Sequence, residues 1–256
     1  MTLRETEITT GSTLRPVDWA RFEGVDLYAE HHLECRGGDF FDALPLGDRV
    51  LFLLTDIAGP RVAALTVAVA VQNAFRQKAE ELFGASEAEV NESHAMAALA
   101  HAINLSLIGA AVGAQFAPTF LGCFEKTLGV LTYCNAGNLL ALASDGDDAR
   151  RLESGGMPLG LFSHTTFEAM FLAFDPGETL LLVTKGVPES RRGGAEFGEE
   201  RVAQLLKAST PKSAAQLCGE VLREAYNFGN SPSARVLGFL HAGERDDLTA
   251  LALVRR

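Results

Sequence analysis

Residues 49–57 read RVLFLLTDI, an unbroken apolar run from Val50 to Leu54 that closes on an acid, Asp56. That is the pattern of a short buried strand. Past Ala58-Gly59-Pro60-Arg61 the periodicity changes. VAALTVAVAVQNAFRQKAEELFG (62–84) carries Ala, Leu and Val at helical spacing and stops at Gly84. SHAMAALAHAINLSLIGAAVG (93–113) repeats the helical pattern, with Ser93 as the expected N-cap. Upstream, VDLYAEHHLE (25–34) alternates over part of its length as a strand does. Downstream, strand patterns return in PTFLGCFEK, GVLTYCNAG, LLALAS, TFEAMFLAF and ETLLLVTKG, punctuated by Gly129, Gly146 and the DPGE turn (175–178). A second helical zone, Glu199 to Phe228, precedes a last strand, LTALALV (248–254). Helices segregated between runs of strands predict an α+β layered fold rather than a doubly wound parallel sheet.

The chain has 256 residues, 47% hydrophobic and 21% charged, enough to bury one large core. No repeat or low-complexity linker divides it, so we expect an N-terminal extension (1–24) ahead of a single domain (25–256). A net charge of −11 argues against a nucleic-acid or anionic membrane surface as partner. Cys35, Cys123, Cys134 and Cys218 are far apart with no CxxC pair, which favours buried thiols over a disulfide or zinc site. Glu5 and Glu7 precede any apolar run, unlike a signal peptide, and Val62–Val71 is too short to span a bilayer. A soluble, cytoplasmic protein is expected.

The chemistry lies in the acids. Asp39 sits in RGGDFFD (36–42), where two glycines let the backbone turn and approach a ligand closely. Asp56 ends the opening strand; Asp246 and Asp247 start the last one. Any one of these is an ordinary solvated turn acid. Carboxylates at several strand ends can together converge on hard divalent cations, which take oxygen ligands and can acidify a water for attack on phosphorus.

At these residues the chain resembles the sporulation stage II E type (SpoIIE-type) branch of the PPM metal-dependent protein phosphatases. The resemblance runs from Leu27 to Val254. It is carried by GGDFFD (37–42), TDIAG (55–59), LGVLTYCNAG (128–137), LESGGMPLGLF (152–162), LLLVTKGVPESR (180–191), EFGEERV (196–202) and DDLTALALV (246–254). It implies a four-layer α-β-β-α sandwich of two antiparallel sheets flanked by helices, with Mn²⁺ or Mg²⁺ at one end. The implied reaction is hydrolysis of phosphoserine or phosphothreonine on a protein by a metal-activated water. Transferred position by position, Asp39 holds one metal, Asp56 bridges two, the Ile57 carbonyl adds a ligand and Asp246 holds the other metal.

The chain departs from the family pattern at three places. The TDG turn that supplies the remaining metal ligand reads Thr184-Lys185-Gly186 here; Pro60-Arg61 follow Gly59; and NAGH ends in Asn138. Asp39, Asp56 and Asp246 carry about −3, and Lys185 reduces that to about −2, the charge one divalent ion neutralises. We therefore expect one ion rather than two, with the ammonium in the place of the second, unless Lys185 points to solvent. Arg36 and Arg61 are candidate phosphate-gripping side chains. Adjacent strand residues face opposite sides, so His31 and His32 should not share a metal. Two functions follow: a phosphatase acting on a phosphorylated, anti-anti-sigma-like regulatory protein, or a pseudophosphatase that binds such a protein without turnover. Ala-rich faces in 62–113 suit helix packing, so a separate regulatory partner or self-association as a homodimer is expected to use them.

Overall fold

The structure is a computed structural model that describes residues 14–19, 22, 24–32, 38–59, 61–84, 90–110, 116–208, 213–230 and 246–256. The chain opens with strands β1 (Val25–His31), β2 (Asp39–Leu46) and β3 (Arg49–Asp56), then helices α1 (Arg61–Phe83) and α2 (Glu92–Ala110). Strands resume as β4 (Thr119–Glu125), β5 (Val130–Ala136), β6 (Leu140–Ser144), β7 (Ala149–Arg151), β8 (Met170–Ala173) and β9 (Thr179–Val183). A short hairpin, β10 (Arg191–Arg192) and β11 (Ala195–Glu196), leads to α3 (Gly198–Lys207) and α4 (Ala214–Gly229). β12 (Thr249–Arg255) closes the fold.

Two five-stranded antiparallel sheets result, ordered β1-β12-β9-β6-β7 and β2-β3-β4-β5-β8. They stack face to face, and the alternation of side chains explains the continuous apolar runs. In β3, Val50, Phe52 and Leu54 point into the layer between the sheets, where they meet Leu180 and Leu182 of β9 and Leu251 and Leu253 of β12. Leu51 and Leu53 point the other way, into a core with Phe75 of α1 and Leu99 and Ile103 of α2. Leu181 and Val183 of β9 and Ala250 and Ala252 of β12 face α3 and α4. Each central strand is therefore covered on both faces, and the layers run helix, sheet, sheet, helix, as expected.

The helix ends differ in detail from the sequence reading. Gly84 closes α1 as expected: its N–H donates to the Glu80 carbonyl at 3.0 Å, and a Cβ there would lie 2.4 Å from that oxygen. Ser93 is not the cap of α2. Asn91 is, with its Oδ1 accepting the His94 N–H at 3.0 Å, because the helix starts one residue before Ser93. The zone 199–228 divides into α3 and α4. Ser213 restarts the second helix through a capping box with Gln216.

The expected 166–174 strand shrinks to Met170–Ala173, a partly exposed edge strand. Ahead of β1, Trp19 packs on Phe22, Tyr28 and Phe41, while the Arg15 backbone pairs with the buried side chain of Gln72. Cys123, Cys134 and Cys218 are buried free thiols, pushed up by burial, to about 12 for Cys134; Cys35 lies outside the described residues.

Candidate metal centre

One end of the sandwich gathers the acids. Asp39 begins β2 and Asp56 ends β3, and the antiparallel register makes them direct partners. Both residues are about nine-tenths buried, the Asp39 carboxyl more deeply than that of Asp56. The Ile57 N–H donates to the Gly38 carbonyl at 3.1 Å, and a Cβ on Gly38 would lie 1.9 Å from the Ile57 oxygen. The glycine therefore admits the backbone of Ile57, where the sequence suggested a ligand. Gly37 lies outside the described residues.

The other sheet supplies hydroxyls. Thr184, just past β9, donates its Oγ1–H to Asp39 Oδ2 at 2.6 Å, and Thr249 of β12 donates to the same oxygen at 2.5 Å. The two threonines are also bound to each other: Thr184 N–H donates to the Thr249 carbonyl (3.1 Å) and Thr249 N–H to the Thr184 hydroxyl Oγ1 (3.2 Å). Asp39 is thus tied across the sandwich. Both threonines lie in the motifs DDLTALALV and LLLVTKGVPESR, but the sequence reading gave them no role, because threonine is a common strand residue and Thr249 lies 210 positions from Asp39.

Electrostatics at this end are strained. Burial, and secondarily the Asp56 charge, push the Asp39 carboxyl up to about 8, against the two hydroxyl contacts that favour its charged form. Burial also raises Asp56, opposed by Lys185 and reinforced by Asp246, Asp247 and Glu189. Lys185 Nζ lies 3.9 Å from Asp246 Oδ1, with both side chains about half exposed, so the pair itself contributes little stability. Gly186 lets this turn nest on the start of the last strand: a Cβ there would lie 2.0 Å from the Asp247 carbonyl oxygen.

Asp56 and Lys185 line one open cleft of about 420 Å³ with Asn138, Arg151, Glu189 and Glu199. Asn138 takes a left-handed conformation (φ 65°), which asparagine tolerates, and its Oδ1 accepts from Arg151 Nη2 at 2.9 Å. Arg151 also holds the Glu199 carboxylate. The sequence reading missed Arg151; its only signal was its place beside LESGGMPLGLF. That loop is fixed by the buried Asn104 of α2, which donates to the Phe162 carbonyl at 3.0 Å and accepts the Gly160 N–H at 2.7 Å.

Of the other candidates, Arg36 lies outside the described residues, as does the side chain of Arg61, which opens α1. His31 and His32 diverge. His31 turns to Thr249 and packs on Phe41 with ring centroids 4.8 Å apart, whereas His32 packs on Tyr226 at 4.4 Å. Burial holds the His31 imidazole below its usual value, opposed by Asp247. The second acid of GGDFFD, Asp42, points away from the site and takes a two-pronged ion pair from Arg76 of α1, both contacts at 2.7 Å.

Among the described residues, no three His, Cys, Asp or Glu side chains already enclose one metal position. The donor set nonetheless suits a hard cation: two paired, buried carboxylates whose ionisation is opposed by burial and mutual repulsion. A divalent ion would relieve both.

This sandwich is the PP2C-type phosphatase fold. It superposes on the RsbU and RsbW domains of Rv1364c from Mycobacterium tuberculosis with a TM-score of 0.69 and 26% identity, covering 91% of this chain and 62% of that one. It superposes on the SiaA-PP2C domain of Pseudomonas aeruginosa with a TM-score of 0.71 and 19% identity, covering 90% and 86%. Protein IcfG of Synechocystis sp. is 37% identical over 99 residues, 38% of this chain but only 16% of IcfG. The sequence profile of the stage II sporulation protein E (SpoIIE) family matches residues 47–256, and the chain belongs to that family.

Proposed function

We propose that the chain is a metal-dependent phosphatase domain that hydrolyses phosphoserine or phosphothreonine on a regulatory protein. The observation that carries the reading is the Asp39–Asp56 pair, buried at adjoining strand ends beside Lys185. Asp39 and Asp56 would hold one Mn²⁺ or Mg²⁺, with the Ile57 carbonyl and Asp246 as further oxygen donors. The bound ion would supply Lewis acidity toward phosphate and water. Thr184 and Thr249 orient Asp39, and Lys185 contributes a fixed positive charge where the family pattern has an acid. Arg151 stands at the cleft wall, able to meet a phosphorylated chain, and Arg36 and Arg61 remain proposed phosphate contacts.

The proposed substrate is an anti-anti-sigma-like phosphoprotein of a partner-switching system. The resemblance to Rv1364c, whose structure carries RsbU and RsbW domains together, supports that class of partner. Self-association is proposed through α1 and α2, where Leu65 and Leu105 are 52% and 45% exposed. No described helix is long and apolar enough to cross a membrane, which agrees with the proposed cytoplasmic setting.

Lys185 and Asn138 favour a second reading, a pseudophosphatase that binds its phosphoprotein without turnover. The deciding experiment is hydrolysis of a phosphoserine peptide by the purified chain with Mn²⁺, with Mg²⁺ and with chelator. Metal-dependent release of phosphate supports the enzyme. No release, with retained phosphopeptide binding, supports the binding module.

A further inference from the structure

We infer that His31 is a positioning residue for the metal centre, acting on Asp39 through the hydroxyl of Thr249. The inference rests on the proposed metal-holding role of Asp39 and goes beyond it by adding a side chain from β1.

With a metal bound, Asp39 would be ionised, and an ionised carboxylate only accepts hydrogen bonds, which fixes the protons around it. Thr184 Oγ1 accepts the Thr249 N–H, so its own proton is available for Asp39 Oδ2. Thr249 Oγ1 has one proton and gives it to Asp39 Oδ2. Its contact with His31 Nδ1, at 2.8 Å, must then run the other way, with Nδ1–H donating. The relay His31 → Thr249 → Asp39 has a single consistent direction.

His31 is the last residue of β1, and β1 pairs directly with β12, His31 opposite Thr249. Its ring packs on Phe41 of the opposite sheet, tilted by 33°. The imidazole is therefore held by two contacts, the tilted ring of Phe41 and, through Nδ1, Thr249. Without the Nδ1 donor, the Thr249 hydroxyl could rotate away from the carboxylate. Thr249 bonds the metal ligand directly, and partners of that kind typically change metal affinity by about 10–100-fold; His31 acts through it.

Two experiments test this. In Mg²⁺-saturated protein at pH 8, where an imidazole is neutral, ¹⁵N NMR should show His31 protonated at Nδ1; the Nε2–H tautomer would overturn the relay. Calorimetric Mn²⁺ titration supplies the second readout. His31→Phe keeps an aromatic ring against Phe41 and removes the donor, and it should weaken binding about 10-fold. His31→Asn, whose amide can reach the Nδ1 position, should recover most of that loss. Thr249→Val should weaken binding comparably, and adding His31→Phe to it should cost nothing more, because His31 acts only through Thr249. Unchanged affinity in His31→Phe, or additive losses in the double variant, overturns the proposal while leaving the metal site standing. If the unmutated chain binds no Mn²⁺, the metal site itself fails and the positioning role with it.

Discussion

Asp39 and Asp56 are register partners across β2 and β3, and one oxygen of Asp39 accepts two hydroxyls from the opposite sheet. A buried acid pair held this firmly is costly without a cation. That cost makes the site testable by stability alone.

The metal-free protein should lose stability as pH rises. Asp39 titrates at about 8 when folded, against 3.8 for the unperturbed side chain. The folded chain therefore holds the proton more tightly than the unfolded chain does. Its stabilising effect is complete below about pH 4 and is lost as pH rises toward and through 8. Asp56, also raised, adds to the same trend. Thermal melts in chelator between pH 5 and 9 should show a falling Tm, and Asp39→Asn should flatten that fall. At pH 9 the variant should melt higher than the parent, by about 2–4 °C for each kcal/mol relieved.

Added Mn²⁺ should reverse the trend. At 100 times its dissociation constant an ion adds about 2.7 kcal/mol, or a Tm rise of roughly 5–10 °C. Asp39→Asn should remove this response; an equal Mn²⁺-dependent rise in the variant would place the ion elsewhere.

The strands of this fold are legible because each is apolar on both faces. RVLFLLTDI, ETLLLVTKG and LTALALV are runs whose alternate residues feed two different cores. The acids at their ends are legible for the same reason, since a charge ending an apolar run stands out. What holds those acids is not. Thr249 and His31 are ordinary strand residues and Thr184 an ordinary turn residue, made partners by pairing across 65 to 218 positions. Asn91 and Ser93 are both competent caps, and only the true start of α2 distinguishes them. Arg76 is one of several charges on a helix, and only the packing of α1 on β2 brings it to Asp42.

That last pair carries a stability prediction independent of metal. Asp42 is fully buried, and Arg76 compensates its charge through two contacts. Arg76→Ala should cost about 3–5 kcal/mol by leaving a buried carboxylate unpaired. Arg76→Ala combined with Asp42→Leu should recover much of the loss. Urea unfolding of the three variants checks both statements.

Gly186→Ala should disable the site with little effect on the core. Its Cβ would strike the Asp247 carbonyl at 2.0 Å, forcing the 184–186 turn away from the start of β12. We expect weaker Mn²⁺ binding and a modest fall in Tm. Wild-type affinity would show that the turn and the last strand need not touch.

The most direct test of the account is the number of Mn²⁺ ions bound per chain, measured by calorimetry in the parent and in Lys185→Asp. The substitution changes the local charge by about two units and adds an oxygen donor next to Asp56 and Asp246. The account predicts one ion in the parent and two in the variant. Two strong sites in the parent, or no gain in the variant, would contradict the claim that Lys185 stands in for the second cation.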